Sequence, residues 1–472
     1  MGNIATLLLL LFVFCHGVAI AESPSSSSTK LFLMQNSKRV VKTDAGEMRV
    51  MKSYGGRILD RHMQIGFISM EPMSLFIPQY LDSNLIIFIR RGEAKLGFIY
   101  DDKLAERRLK TGDVYIIPAG SAFYLVNLGA GQRLHIICSI NPSSNLGVDT
   151  FQSFYIGGGA NAPSVLYGFE SVILEAAFNE SRTVLRKIFT KELDGPIVYV
   201  TDTHAPRLWT KFLQLKKEDK VQHLKKIVQD QEEEEEEEEK ETSWSWRKFM
   251  ETILGNVNEK IENKHTAGSP DSYNLHDKKP DFRNAYGWSK TLDGAEYPPL
   301  RKADIGIFHV NLTAGSMMAP HLNPRATEYG IVLRGYGRIQ ILFPNGSNAM
   351  NTEIKVGDVF VVPRYFPFCQ IASRNGPLEF FGFSTSARKN KPQFLAGAVS
   401  LVTTMMGPEL AAAFGVSEDT MRRTVDAQHE AVILPSTWAA PPEDPGKMEE
   451  EKVHMQPKAI RSFAKDIVMD VF

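Results

Sequence analysis

The chain has 472 residues, 43% hydrophobic, 10% aromatic and 23% charged, which supports packed cores in a chain too long for a single one. Its 54 Lys and Arg stand against 55 Asp and Glu, for a formal charge of −1. That balance excludes a global field for nucleic acid or an anionic membrane, and it removes the repulsion that opposes self-association.

Residues 1–21 read as a cleavable secretory signal. Leu7–Phe14 is an unbroken apolar run too short to span a bilayer, and Ala19-Ile20-Ala21 follows it as a peptidase site. No other stretch is apolar for long enough to cross a membrane, so no anchor is expected. Cys15 leaves with the signal, and Cys138 and Cys369 are expected as free thiols. The signal makes three N-x-S/T sequons meaningful: Asn179, Asn311 and Asn345. Asn345 lies in the turn Pro344–Ser347. Asn311 faces away from Phe308, Val310 and Leu312 on a strand. Asn179 is read either as a glycan acceptor or as the N-cap of a helix through Val184, Leu185, Ile188 and Phe189.

The chain then repeats itself. Thr111-Gly112-Asp113-Val114-Tyr115-Ile116-Ile117-Pro118 returns as Val356-Gly357-Asp358-Val359-Phe360-Val361-Val362-Pro363. Downstream, Leu174–Phe178 returns as Leu410–Phe414, in a register that carries Ser181 onto Ser417. Two copies of one domain follow. Each opens with short alternating strands broken by Gly, Asp, Asn and Pro, as a sandwich or closed barrel requires. Each ends in a short amphipathic helical arm that needs a partner surface, with Ser417 the expected N-cap of the second.

The copies are bounded at 30–205 and 280–440. Between them, 206–279 is charged and carries eight consecutive glutamates, Glu232–Glu239, so it is expected to be extended and solvated. Thr242–Leu254 could form a short docking helix. Residues 441–472 are a polar linker with an apolar end, either a sorting address or a docking strand.

Copy two contains Gly315, His321, Asn323, Glu328 and Gly335. This resembles the cupin family, whose motifs are G-x5-H-x-H-x3,4-E-x6-G and G-x5-P-x-G-x2-H-x3-N. The resemblance implies a mainly β chain of two tandem jelly-roll barrels, each followed by a helical arm. It also implies that a full set of three histidines and a glutamate would hold a metal. Here Asn323 replaces the second histidine, Tyr365 the later glycine, and Phe366 and Phe368 fall where the third histidine belongs. In copy one Gln79, Leu81 and Phe123 stand near the ligand positions. Phenylalanine cannot coordinate a metal, so no metal, no cofactor and no catalytic residue are expected. His321, Asn323, Glu328 and Cys369 remain as candidates for a small polar ligand (a sugar or small organic acid) or for copper or zinc. The other reading is that His321 is a remnant of a binding ancestor.

Phe394–Gly397, Glu409–Phe414 and His429–Pro435, with two cupin copies and a charged insert, look like the vicilins, the 7S seed storage globulins. The likeness implies a homotrimer joined by its arms, passage to a protein storage vacuole or to the cell exterior, and service as a nutrient reservoir without catalysis. Glutamine is sparse and the glutamate run stores less nitrogen than glutamine would, which favours a binding or minor role within that family. A germin-like metal enzyme needs three ligands in one barrel, and neither copy supplies them.

Overall fold

The computed structural model describes residues 31–34, 37–52, 59, 63–129, 131–142, 151–159, 161–190, 195–200 and 270–442. The signal, the glutamate run, the docking helix and the tail beyond residue 442 lie outside these.

The first copy opens with β1 (Ser37–Thr43), β2 (Gly46–Lys52), β3 (Gln64–Met70), β4 (Ser74–Leu81) and β5 (Ser83–Arg91). It continues through β6 (Glu93–Tyr100), β7 (Lys103–Lys110), β8 (Asp113–Ile117), β9 (Phe123–Asn127) and β10 (Leu134–Pro142). The short β11 (Ser153–Tyr155), β12 (Ile197–Tyr199) and β13 (Tyr273–Asn274) complete two sheets, ordered β1-β2-β3-β10-β5-β8-β13 and β11-β4-β9-β6-β7, with β12 also on β4. Turn chemistry fixes the register. Asp101 and Asp102 both take positive φ, 46° and 59°, and close a two-residue hairpin in which Tyr100 faces Lys103.

The second copy comprises β14 (Phe282–Asn284), β15 (Gly287–Leu292), β16 (Gly306–Leu312), β17 (Ser316–Met318), β18 (His321–Leu322) and β19 (Glu328–Leu342). It is completed by β20 (Asn348–Lys355), β21 (Val359–Val362), β22 (Phe368–Ala372), β23 (Leu378–Ser384), β24 (Gln393–Phe394) and β25 (Ile433–Pro435). All join one nearly closed sheet. Closure runs through β19: its first half pairs with β21 and β23, its second with β20 and β22. Gly335 at the bend has φ 83°, and a Cβ there would lie 1.7 Å from the Pro377 carbonyl oxygen, so only glycine fits.

The arms form as their sequence implies. They are α1 (Ser171–Phe178) and α2 (Arg182–Phe189) after the first barrel, then α3 (Leu401–Thr404), α4 (Pro408–Ala413) and α5 (Glu418–Asp426) after the second. Ser417 caps α5 by accepting from Thr420 N at 3.2 Å. The expectation that Asn179 is an N-cap is corrected. Asn179 ends α1 in the left-handed region, φ 50°, and Ser181 caps α2. Asn tolerates that conformation far better than other side chains, and Ser181 stands one step before the first helical residue.

The unbroken apolar run Leu85–Ile89 is explained by burial on both faces. Leu85, Ile87 and Ile89 fill the first barrel, while Ile86 and Phe88 point into a second core shared with the other barrel. That shared core takes Tyr329, Ile331, Val359, Val361, Phe381 and Phe383 from the second copy. Phe88 and Phe381 stack across it with ring centroids 4.1 Å apart, each ring contributing about 1.5–3 kcal/mol by burial.

The barrels also exchange their leading segments. Residues 32–34, assigned to the first domain, pair with β21 of the second: Met34 N donates to Val359 O and Val361 N to Phe32 O, both at 2.8 Å. Residues 273–275, assigned to the solvated insert, pair with β8 of the first, with Leu275 N donating to Gly112 O at 2.8 Å. Strands β8 and β21 are the duplicated Gly-Asp-Val strands, so each barrel caps the same edge of its neighbour. An open edge with unpaired N–H and C=O groups favours such a cover.

Candidate functional site

Three loops meet at one end of the second barrel: 323–327 before β19, 363–367 after β21, and 385–392 after β23. Hydrogen bonds tie them together. Tyr365 N donates to Asn323 O at 2.9 Å and Asn390 Nδ2 to Asn323 Oδ1 at 2.9 Å. Thr327 N donates to Thr385 Oγ1, also at 2.9 Å. Beneath them lie His321, Asn323 and Glu328, all buried.

His321 donates Nδ1–H to the Ala319 carbonyl at 2.7 Å, which leaves Nε2 as an acceptor. Its ring packs on Phe368 and Phe394, with centroids 4.1 and 5.3 Å away. Burial there holds the imidazole down to about 4, so it is neutral at physiological pH. Burial pushes the Glu328 carboxyl the other way, up to about 7, and the Asn323 amide partly offsets this. Asn390 Oδ1 is buried without a hydrogen-bond partner among the described residues.

Cys369 does not join this group. It alternates with Phe368 on β22, so it faces away from His321 and lies beside Arg338, with its thiol pushed up to about 11 by burial. Cys369 and Cys138 are both free. Among the described residues no three of His, Cys, Asp and Glu come within reach of one metal ion. In the first barrel Gln79 faces Phe123 across β4 and β9, and Leu81 and Phe123 belong to the packed core. Both amide atoms of Gln79 are buried without a hydrogen-bond partner among the described residues.

The sequons differ in setting. Asn345 is exposed, its Oδ1 accepting from Ser347 N and Oγ at 3.0 and 2.7 Å. Asn179 is exposed at the α1–α2 corner. Asn311 is half-buried on β16, opposite Trp288 and Glu379.

Two features escaped the sequence reading. His309 is buried on the outer face of the second barrel, with Nε2 2.8 Å from Glu379 Oε1, and this bond holds Glu379 below the usual carboxylate range. No motif signals that pair. Tyr365 takes φ 72°, where an aromatic residue is strained. Alignment of Gly120 with Tyr365 between the two copies could have revealed it.

The sequence profile of the cupin family, described as Cupin, matches residues 32–154 and 273–422. A vicilin-like seed storage protein of Arabidopsis thaliana is 54% identical over 417 residues, 87% of this chain and 81% of that protein. The chain belongs to the vicilin-like storage proteins of the cupin family. A second Arabidopsis thaliana vicilin-like protein is 30% identical over 463 residues, covering 93% of this chain and 80% of its own. The crystal structure of hazelnut vicilin (Corylus avellana) is similar in fold, with TM-score 0.68 and 23% identity over 86% of this chain and 99% of that one. The Arabidopsis thaliana relatives of this vicilin-like bicupin are seed storage proteins.

Proposed function

We propose that this bicupin is a nutrient reservoir that enters the secretory pathway, accumulates in a protein storage vacuole and assembles as a homotrimer through its arms. The carrying observation is the apolar surface of those arms. Val172, Ile173, Phe178, Val184 and Ile188 are exposed on the first, and Met405, Phe414 and Val416 on the second. A lone chain leaves these side chains in water, and a neighbouring copy removes them from it. Light scattering of the purified protein tests the assembly: three chains per particle are expected, and Ile188→Glu with Phe414→Glu should yield monomers. Abundance through seed maturation and germination tests the reservoir role, because a reserve accumulates massively and then disappears. Glycans belong at Asn345 and Asn179, whose settings leave room for one, and glycopeptide mass spectrometry reads them directly.

A second role, binding of a small polar ligand at the second barrel's mouth, is supported by the convergence of the buried His321, Asn323 and Glu328 beneath three hydrogen-bonded loops.

A further inference from the structure

The two exchanged segments cover equivalent strands but differ in chemistry. Phe32, Leu33 and Met34, on the second barrel, carry no titratable side chain. The segment on the first barrel leads into His276 and is fastened by a lysine. Lys290 of β15 is 7% exposed and donates to the Leu275 and His276 carbonyls, both at 3.0 Å. Its Nζ lies 5.3 Å from the centre of the Trp288 ring, and among the described residues it forms no salt bridge. A buried ammonium is thus held by backbone dipoles and a ring face, with no counter-ion to spare.

The His276 side chain stands beside this fastening, exposed enough to exchange protons with solvent. Its ring lies 6.3 Å from Phe88 of β5 and 6.2 Å from His309 of β16, centroid to centroid. The charges around it are already engaged or are positive. Glu379 of β23 bonds His309 Nε2 at 2.8 Å, with Arg334 of β19 nearby. Asp277 reaches Lys110 of β7 at 3.6 Å, and Asp113 of β8 accepts from Asn274 Nδ2 at 2.8 Å. Lys278 is paired with Asp281 and Glu296, and Arg283 of β14 adds positive charge near Lys290. A proton on His276 therefore places a second cation against Lys290 where both neighbouring carboxylates are occupied.

Desolvation, followed by His309 and Lys290, holds His276 below the ordinary histidine range, so the fold favours its neutral form. The stability that this form contributes is complete above pH 6.5 and is lost as pH falls through the lower folded-state value.

We propose that Lys290, His276 and His309 form an acid-released clasp: protonation of His276 detaches residues 273–277 from β8 and opens that edge of the first barrel, while the cap on the second barrel stays closed. Release bares the Gly112 carbonyl and the backbone of Asp113 and Val114. The device goes beyond the reservoir and ligand roles and rests on neither.

Hydrogen–deuterium exchange of the full chain at pH 7 and pH 5, expressed as protection factors so that intrinsic rates cancel, tests it. The Leu275 amide, which donates to Gly112 O, should lose protection about twofold or more, while the Met34 amide, which donates to Val359 O, should keep its own. His276→Gln leaves a neutral side chain and should hold the Leu275 protection constant over that range. His276→Lys carries the charge permanently and should show the acid-state protection already at pH 7. Equal loss at Leu275 and Met34, no loss at Leu275, or a loss that persists in His276→Gln overturns the proposal. So does a His276→Lys chain as well protected at pH 7 as the unaltered protein.

Discussion

Gly120 and Tyr365 occupy the same step of the duplicated turn, two residues after Pro118 and Pro363, and their backbones agree, with φ of 76° and 72°. The barrel corner sets this conformation in both copies. Glycine adopts it without penalty, while tyrosine is strained by about 1–2 kcal/mol. A Cβ at position 120 would meet nothing within 4 Å, so no clash clouds a test there. Gly120→Ala is expected to cost about 1 kcal/mol in urea unfolding, from backbone strain alone. Unchanged stability would show that the corner relaxes freely.

The stacked pair Phe88 and Phe381 supports the shared core between the barrels. Phe88→Ala and Phe381→Ala should each cost about 3–5 kcal/mol. Because the rings touch, the double variant should cost less than the sum by about 0.5–1.5 kcal/mol. Strict additivity in a denaturant double-mutant cycle would mean that the two sheets part independently.

The buried carboxyl of Glu328 has a folded-state pKa near 7, above its ordinary 4.5. Its neutral form is favoured in the fold, so its stability contribution is complete below about pH 4.5 and is lost as pH rises through 7. Glu328→Gln is therefore expected to stabilise the protein by about 1–3 kcal/mol at pH 8 and to change little at pH 4. His321 acts in the opposite direction. Its folded value lies near 4, below 6.5, so its contribution is present above pH 6.5 and is lost as pH falls through 4. His321→Phe should flatten the acid limb of the stability profile over that window. Chemical denaturation at several pH values reads both limbs, and a Glu328→Gln gain that persists at pH 4 would contradict the assignment.

Reciprocal capping predicts the behaviour of a cut chain. A protease site placed within Glu232–Glu239 falls between the two cupin-matched segments of the sequence, while the shared core and the exchanged segments hold the halves together. After cleavage the fragments should co-elute in native size-exclusion chromatography and separate in denaturant. Separation under native conditions would show that the covalent connection maintains the pairing.

Much of this fold was legible because physical necessity left marks on particular residues. The repeated Gly-Asp-Val strands announce the duplication, and Ser417 announces the helix it caps. Asn179 misled because an asparagine can end a helix as readily as begin one, and Ser181 lay only two positions on. Cys369 is adjacent in sequence to Phe368, which packs on His321, but strand alternation sends the thiol to the other face. The segment exchange left no pattern to read: Phe32-Leu33-Met34 is simply apolar, and its partner strand is specified only by the assembled tertiary structure. At the site the erosion of the metal motif was visible, whereas the meeting of three loops over His321, Asn323 and Glu328 requires coordinates.

The exchanged segments also bear on how the protein is made. Asn274 bonds Asp113 across 161 residues of chain, so the edge of the first barrel stays open until the insert and the start of the second copy have emerged from the ribosome. A nascent N-terminal half thus carries a sheet edge able to recruit neighbouring nascent chains. On this geometry, slow synthesis through residues 201–272 is the interval in which aggregation is most dangerous, and chaperone cover would matter most there.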